Sequence, residues 1–146
     1  MTLHSSTKKI VVPMDGSASA LRALAVAIGR CADTGAALHL LNVQSPIASG
    51  NVRMFVTPDM IKKYHEDEAR QALAPAIKLL ESAKAPYVTV LRIGHPAQAI
   101  ADHADPAGGD EIIMGTRGMS TLGNLVMGSV ATQVVHAARV PVTLVK

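Results

Sequence analysis

Five short β-like runs alternate with helical patterns along this 146-residue chain, and that alternation limits its fold more than any other feature. The first run, Lys9-Ile-Val-Val-Pro-Met14, stops at Asp15-Gly16-Ser17. A helix is predicted from about Ser19 to Thr34, with Leu21, Leu24, Ala25 and Ile28 on one face and Gly35 as its stop. Ala37–Val43 reads as the second strand and Gln44–Val56 as a loop. Thr57-Pro58-Asp59 supplies an N-cap, a proline at the first helical position and an acid in the first turn. The helix it opens runs towards Lys84, and Pro75 is expected to kink or divide it. Tyr87–Ile93 is the third strand, Gly94-His95-Pro96 a turn and Ala97–Ala104 a shorter helix, closed by Pro106–Asp110. Glu111–Met114, a glycine-spaced segment, a helix over Ser129–Ala138 and a last strand over Pro141–Val145 complete the chain.

Such alternation demands a mostly parallel sheet with helices on both faces. The composition agrees. Hydrophobic residues make up 49% of the chain, yet it has no Trp, one Phe and two Tyr, so Val and Ile fill the sheet while Ala and Leu cover it. The length suits one domain over residues 1–146. A lone cysteine, Cys31, excludes an intramolecular disulfide framework and reads as an inert buried thiol. No signal-like apolar region follows Met1, and no apolar run reaches the roughly 18 residues of a membrane span, so a cytoplasmic location is expected. A net charge of +3, spread along the chain and joined by only three aromatics, offers no platform for stacking nucleic-acid bases.

In doubly wound sheets ligands bind beyond the carboxyl ends of the strands, where strand order reverses. Two strand ends carry unusual residues: Met14-Asp15-Gly16 after the first, and Gly115 onward after the fourth. If those strands are neighbours, the two features share one crevice. The second reads Gly115, two residues, Gly118, nine residues, then Gly128-Ser129 opening a helix. Glycines permit φ > 0 and let backbone N–H groups approach an anion unshielded, and a helix start adds unpaired donors and the positive dipole end. Ser129 is expected to cap that helix and also to face a phosphate.

With Glu111-Ile-Ile-Met114 before it, this segment resembles the signature of the ATP-binding branch of the universal stress protein family. The similarity extends to Ile10-Val-Val-Pro-Met-Asp15-Gly-Ser17, Gly94-His-Pro96 and Val140-Pro-Val-Thr-Leu-Val145. The resemblance implies an α/β, Rossmann-like fold of the adenine nucleotide alpha hydrolase type: a five-stranded parallel sheet with helices on both faces. It implies an ATP site at the first and fourth strand ends. Pro13 and Asp15, with Met14 between them, would lie near adenine and ribose, and Val43 would meet the adenine edge through its backbone. Met114, Gly115, Gly118, Gly128, Ser129 and Val130 would surround ribose and phosphates. It also implies a homodimer through antiparallel pairing of the last strand, Val140–Val145, which would otherwise leave an apolar edge open.

Asp15 suits either a cap on the first helix or a contact to ribose or Mg²⁺. Arg117 lies inside the loop, placed either to reach phosphate oxygens or to sit solvated. The six histidines have no ligand spacing, and Met114, Met119 and Met127 read as packing around the loop. Gly123-x4-Gly128-Ser129 has P-loop spacing but Ser129 where the lysine belongs, which argues against fast phosphoryl transfer. The expected function is therefore a nucleotide-responsive dimeric regulatory module with slow ATP hydrolysis at most. Its rivals are an interaction protein with a vestigial pocket, and a hydrolase or nucleotidyl transferase.

Overall fold

The computed structural model describes residues 7–47, 50–117 and 127–146. Five strands form one sheet: β1 (Lys9–Pro13), β2 (Ala37–Gln44), β3 (Val88–Ile93), β4 (Glu111–Gly115) and β5 (Val142–Val145), in the order β3-β2-β1-β4-β5. Every pairing is parallel; β1 faces β2 through Lys9↔Ala37 to Pro13↔Leu41, and β4 through Ile10↔Glu111 and Val11↔Ile112. The chain thus winds outward from β1 to β3, then returns to the other side of β1 for β4 and β5. The first and fourth strands are neighbours, as the shared crevice requires.

Alternation along β1 divides the core. Ile10 and Val12 point to the face covered by α1 (Ala18–Thr34) and α3 (Pro58–Ser82), meeting Ala23, Leu24, Ala27, Leu73 and Leu80. Val11 points to the other face with Ile112 and Met114, under α4 (Pro96–His103) and α5 (Ser129–Ala137). A further short helix, α2 (Gly50–Arg53), falls within the stretch expected to be an irregular loop.

Several local expectations are corrected. The stripe that α1 buries is Ser19, Ala20, Ala23, Leu24 and Ala27, while Ala25 is exposed and Leu21 and Ile28 are half-buried. Small residues turn inward because they let the helix lie close to the sheet. Helix α3 is continuous through Pro75. The proline is exposed, and so is Gln71, the residue whose carbonyl loses its helical partner to the ring, so the break in the ladder falls on the solvent side. Ser17, not Asp15, caps α1: its Oγ accepts from Ala20 N at 3.1 Å. Asp15 supports the cap from outside, Oδ1 accepting from Ser17 N at 2.9 Å. Cys31 is half-buried rather than buried, and burial, then the nearby Glu111 carboxylate, pushes its thiol pKa up, so it stays protonated and inert.

Opposite the crevice, the sheet is pinned by a buried carboxylate. Asp110 is 1% exposed and takes Lys9 Nζ at 2.7 Å, Lys9 N at 2.8 Å and Asp105 N at 2.7 Å. Burial alone would raise its pKa, but the bonds from Lys9 and Asp105 outweigh it and hold the group ionised. Beside it, His39 Nδ1 lies 3.1 Å from His103 Nε2, and Arg92 Nη2 lies 3.1 Å from His103 Nδ1. A guanidinium only donates, so His103 accepts at Nδ1 and donates from Nε2 to His39. Burial, then the Arg92 charge, lowers the His103 pKa to about 4. His39 is lowered too, by burial and then by Lys9.

Two outcomes follow for stability. Asp110→Ala leaves the Lys9 ammonium without its buried counter-ion and is expected to cost about 3 kcal/mol, read by urea denaturation at pH 7. Above pH 6.5 His103 is neutral both folded and unfolded; as pH falls from 6.5 towards 4 the unfolded chain takes up a proton that the folded chain refuses. The urea midpoint is expected to fall through that window, and less steeply in His103→Gln.

Candidate functional site

At the reversal point a cavity of about 430 Å³ opens between the carboxyl ends of β1, β2 and β4 and the start of α5. Its wall includes Pro13, Met14, Asp15, Val43, Met114, Gly115, Arg117, Gly128, Ser129 and Val130. These are the residues singled out in the sequence, with one difference: Gly118 lies outside the described residues, as do Met119 and Gly123.

The start of α5 decides the chemistry of this cavity. Its N-cap is Gly128 (φ −73°, ψ 164°), not Ser129, which is the first helical residue, and among the described residues no side chain caps the helix. Gly128 N donates to Thr116 O and so ties the helix start to the end of β4. The N–H groups of Ser129, Val130 and Ala131 have no acceptor within the helix, and all three residues line the cavity. Three donors and the positive end of the helix dipole therefore face one space, an arrangement that favours an anion. Among the described lining residues Arg117 adds the only cationic side chain and Asp15 the only carboxylate.

The glycines serve differently from the sequence-based expectation. Neither Gly115 nor Gly128 has positive φ. Gly115 is required by close approach: a Cβ there would meet Ser19 C at 2.7 Å and Ser19 O at 2.8 Å, besides the Ser19 hydroxyl. Ser19 Oγ in turn accepts from Arg117 N at 3.3 Å, so the first turn of α1 holds the chain as it leaves β4. Positive φ is used at Gly16 (+86°), where the chain turns from β1 past the Ala72 carbonyl of α3.

Sequence reasoning missed several wall residues. Leu41, Pro96, Ile100 and Ala131 supply apolar surface, and Thr116 carries the carbonyl that holds Gly128. Asn42 is the most informative omission. It is buried, lines the cavity, and donates from Nδ2 to Met14 O at 2.9 Å. Gln44 Nε2 donates to Asn42 Oδ1 at 3.0 Å and to His65 O at 2.9 Å, while the Gln44 carbonyl oxygen lies 2.7 Å from His65 Nδ1. A polar residue directly after the apolar pair Leu40-Leu41 was the available signal. Among the described residues no group of three His, Cys, Asp or Glu side chains could hold a metal ion, and no helix is long and apolar enough to cross a membrane.

A doubly wound parallel sheet with an anion-favouring crevice at its reversal point defines the class of Rossmann-like α/β domains that bind ligands at the carboxyl ends of their strands. The model of the universal stress protein family matches residues 6–146, and the chain belongs to that family. A universal stress protein from Thermus aquaticus is 34% identical over 145 residues, covering 95% of this chain and 98% of that one. The solved structure of the hypothetical protein MJ0577 superposes with a TM-score of 0.78 at 29% identity, over 95% of both chains. A universal stress protein solved in complex with cAMP superposes with a TM-score of 0.69 at 26% identity, over 95% of this chain and 97% of that one.

Gly115→Ala tests the packing account. Its methyl has nowhere to go but into the α1 backbone, so the variant is expected to lose about 2 kcal/mol, read by chemical denaturation.

Proposed function

We propose that the crevice binds an adenine nucleotide, ATP foremost, and that the chain acts as a nucleotide-responsive homodimer with at most slow ATP hydrolysis. The observation that carries this reading is the uncapped first turn of α5, whose free donors line a cavity with an apolar floor. The cavity's size lies within the range of about 300–1,000 Å³ common to small-molecule sites. The cAMP complex of a relative with the same fold supports an adenine ligand.

The residues present fit the ligand. Leu41, Pro96 and Ile100 would cover the base, and Val43 would meet its edge through backbone groups. Ser129, Val130 and Ala131 would hold phosphate oxygens through N–H groups, with Gly128 leaving their approach open and Arg117 close by. Asp15 accepts Ser17 N at Oδ1, which leaves Oδ2 for ribose or for Mg²⁺. Magnesium is commonly held by one carboxylate together with substrate phosphates, so the scarcity of acids here is no obstacle. Bound MgATP would supply a polyanion whose γ-phosphate reports the energy state. Asp15, the only described lining carboxylate, is engaged with the α1 cap, which leaves no dedicated general base and favours retention of the nucleotide over rapid turnover.

Strand β5 lies at the edge of the sheet, and Ile112 N→Pro141 O (2.9 Å) and Thr116 N→Val145 O (3.3 Å) turn the odd-numbered residues towards β4. The N–H groups of Val142 and Leu144 therefore point outward, ready for a second copy.

Titration calorimetry with MgATP tests the binding reading through Ser129→Pro. Gly128 already holds the extended conformation that precedes a proline, and position N1 accommodates one, so the helix survives while a donor is lost. ATP is expected to bind at least about tenfold more weakly to this variant with its melting temperature kept. Equal affinity, or no binding by the parent protein at millimolar MgATP, would contradict the reading. For the dimer, Leu144→Pro is expected to shift light-scattering mass from two chains to one while MgATP still binds.

A further inference from the structure

We propose that Asn42 is a positioning residue that ends the β1–β2 ladder one step early and so frees the backbone of Val43 to read the adenine base; this rests on the nucleotide reading above. The register supplies the case. Pro13 pairs with Leu41, so Met14 stands opposite Asn42. Met14 N donates to Leu41 O at 2.8 Å, as a parallel ladder requires. In that pattern the next bond runs from Val43 N–H to Met14 O. Instead, Met14 O accepts from the Asn42 side chain at 2.9 Å. The amide of Asn42 has taken the place of the following backbone amide.

The displaced groups face the cavity. Ala37 N donates to Lys8 O and Leu41 O accepts from Met14 N, so odd-numbered residues of β2 turn their backbone groups towards β1. Even-numbered ones turn to β3, as Gly94 N→Gln44 O shows at 2.9 Å. Val43 therefore directs its N–H and its carbonyl to the β1 side, beyond the last residue of β1, and it lines the cavity there. An adjacent donor and acceptor match adenine, which offers N1 as acceptor and the N6 amino group as donor. Guanine presents the reverse, a carbonyl at O6 and a proton on N1, and would set acceptor against acceptor. The same bond fixes Asp15. The Met14–Asp15 peptide is planar and trans, so with its carbonyl held by Asn42 its N–H points away from β2, towards β4. Gln44 and His65 brace the Asn42 amide from behind.

Asn42→Ala removes the substitute donor and lets Val43 N–H close on Met14 O; Asn42→Asp keeps the shape but removes the donor. Three readouts are measured on each folded variant: amide exchange at Val43 without ligand, ATP against GTP affinity, and affinity for inorganic tripolyphosphate. In the parent protein Val43 is expected to exchange rapidly and ATP to be preferred over GTP. In Asn42→Ala, Val43 exchange is expected to slow and ATP to bind about tenfold more weakly, with tripolyphosphate unchanged; Asn42→Asp is expected to show the same split between ATP and tripolyphosphate. A protected Val43 amide in the parent, or an unchanged ratio of ATP to tripolyphosphate affinity in both variants, overturns the proposal while leaving nucleotide binding intact. A parent protein that binds neither ATP nor tripolyphosphate overturns the nucleotide reading, and with it the assignment of the Val43 groups to a base.

Discussion

Parallel pairing of β1 on both sides is the constraint from which the rest of this molecule follows. Because β2 and β4 flank it, the chain must reverse its direction of winding at β1, and the helices that follow β1 and β4, α1 and α5, lie on opposite faces of the sheet. The gap between those helix starts, at the carboxyl ends of the strands, is the crevice. Nothing has to be carved out of the core to make it, since a doubly wound sheet opens there by topology. The pairing is secured at the far end by Asp110, which joins Lys9 of β1 to the approach of β4 through one buried carboxylate.

The crevice acquires its chemistry from what is left unsatisfied at its rim. Gly115 lets α1 press against β4, closer than any side chain would allow, and Ser19 steadies the chain beyond it. Thr116 then anchors Gly128, and α5 begins with no capping side chain among the described residues. Gly128 is half-buried and Ser129 and Val130 are exposed, so the donors at this helix start are open to solvent and within reach of an anion. On the base side the logic is the same: a ladder stopped early leaves the Val43 peptide groups unpaired over an apolar floor. The site is built by withholding partners from backbone groups.

Much of this was legible in the sequence. Alternating β-like and helical runs gave five strands in place, and the glycine spacing marked Met114, Gly115, Gly128, Ser129 and Val130 of the crevice wall because strand ends and helix starts are local events. What was not legible depends on contacts between segments distant in the chain. Gly115 reads as a flexible loop residue until α1 is seen lying on it. Ser129 reads as the cap of α5, by its chemistry, until Thr116 is found holding Gly128 in that role. Pro75 reads as a break until α3 is seen to run through it with Pro75 and Gln71 both on the exposed side. Asn42 was hidden among the alternating residues of β2, its meaning set by the register with β1. The inward stripe of α1 shifted from Ala25 to Ala23 and Ala27 because distance to the sheet, not hydrophobicity alone, chose the face.

Family membership and the geometry of the crevice both support the proposed nucleotide, and the central claim of that proposal is that backbone amides at the start of α5 receive its phosphates. Backbone ¹⁵N–¹H spectra recorded during titration with MgATP test it most directly. The account requires the Ser129, Val130 and Ala131 amides to shift together and saturate, with the same three responding to inorganic tripolyphosphate. Amides that stay in place while nucleotide is present in millimolar excess would contradict it.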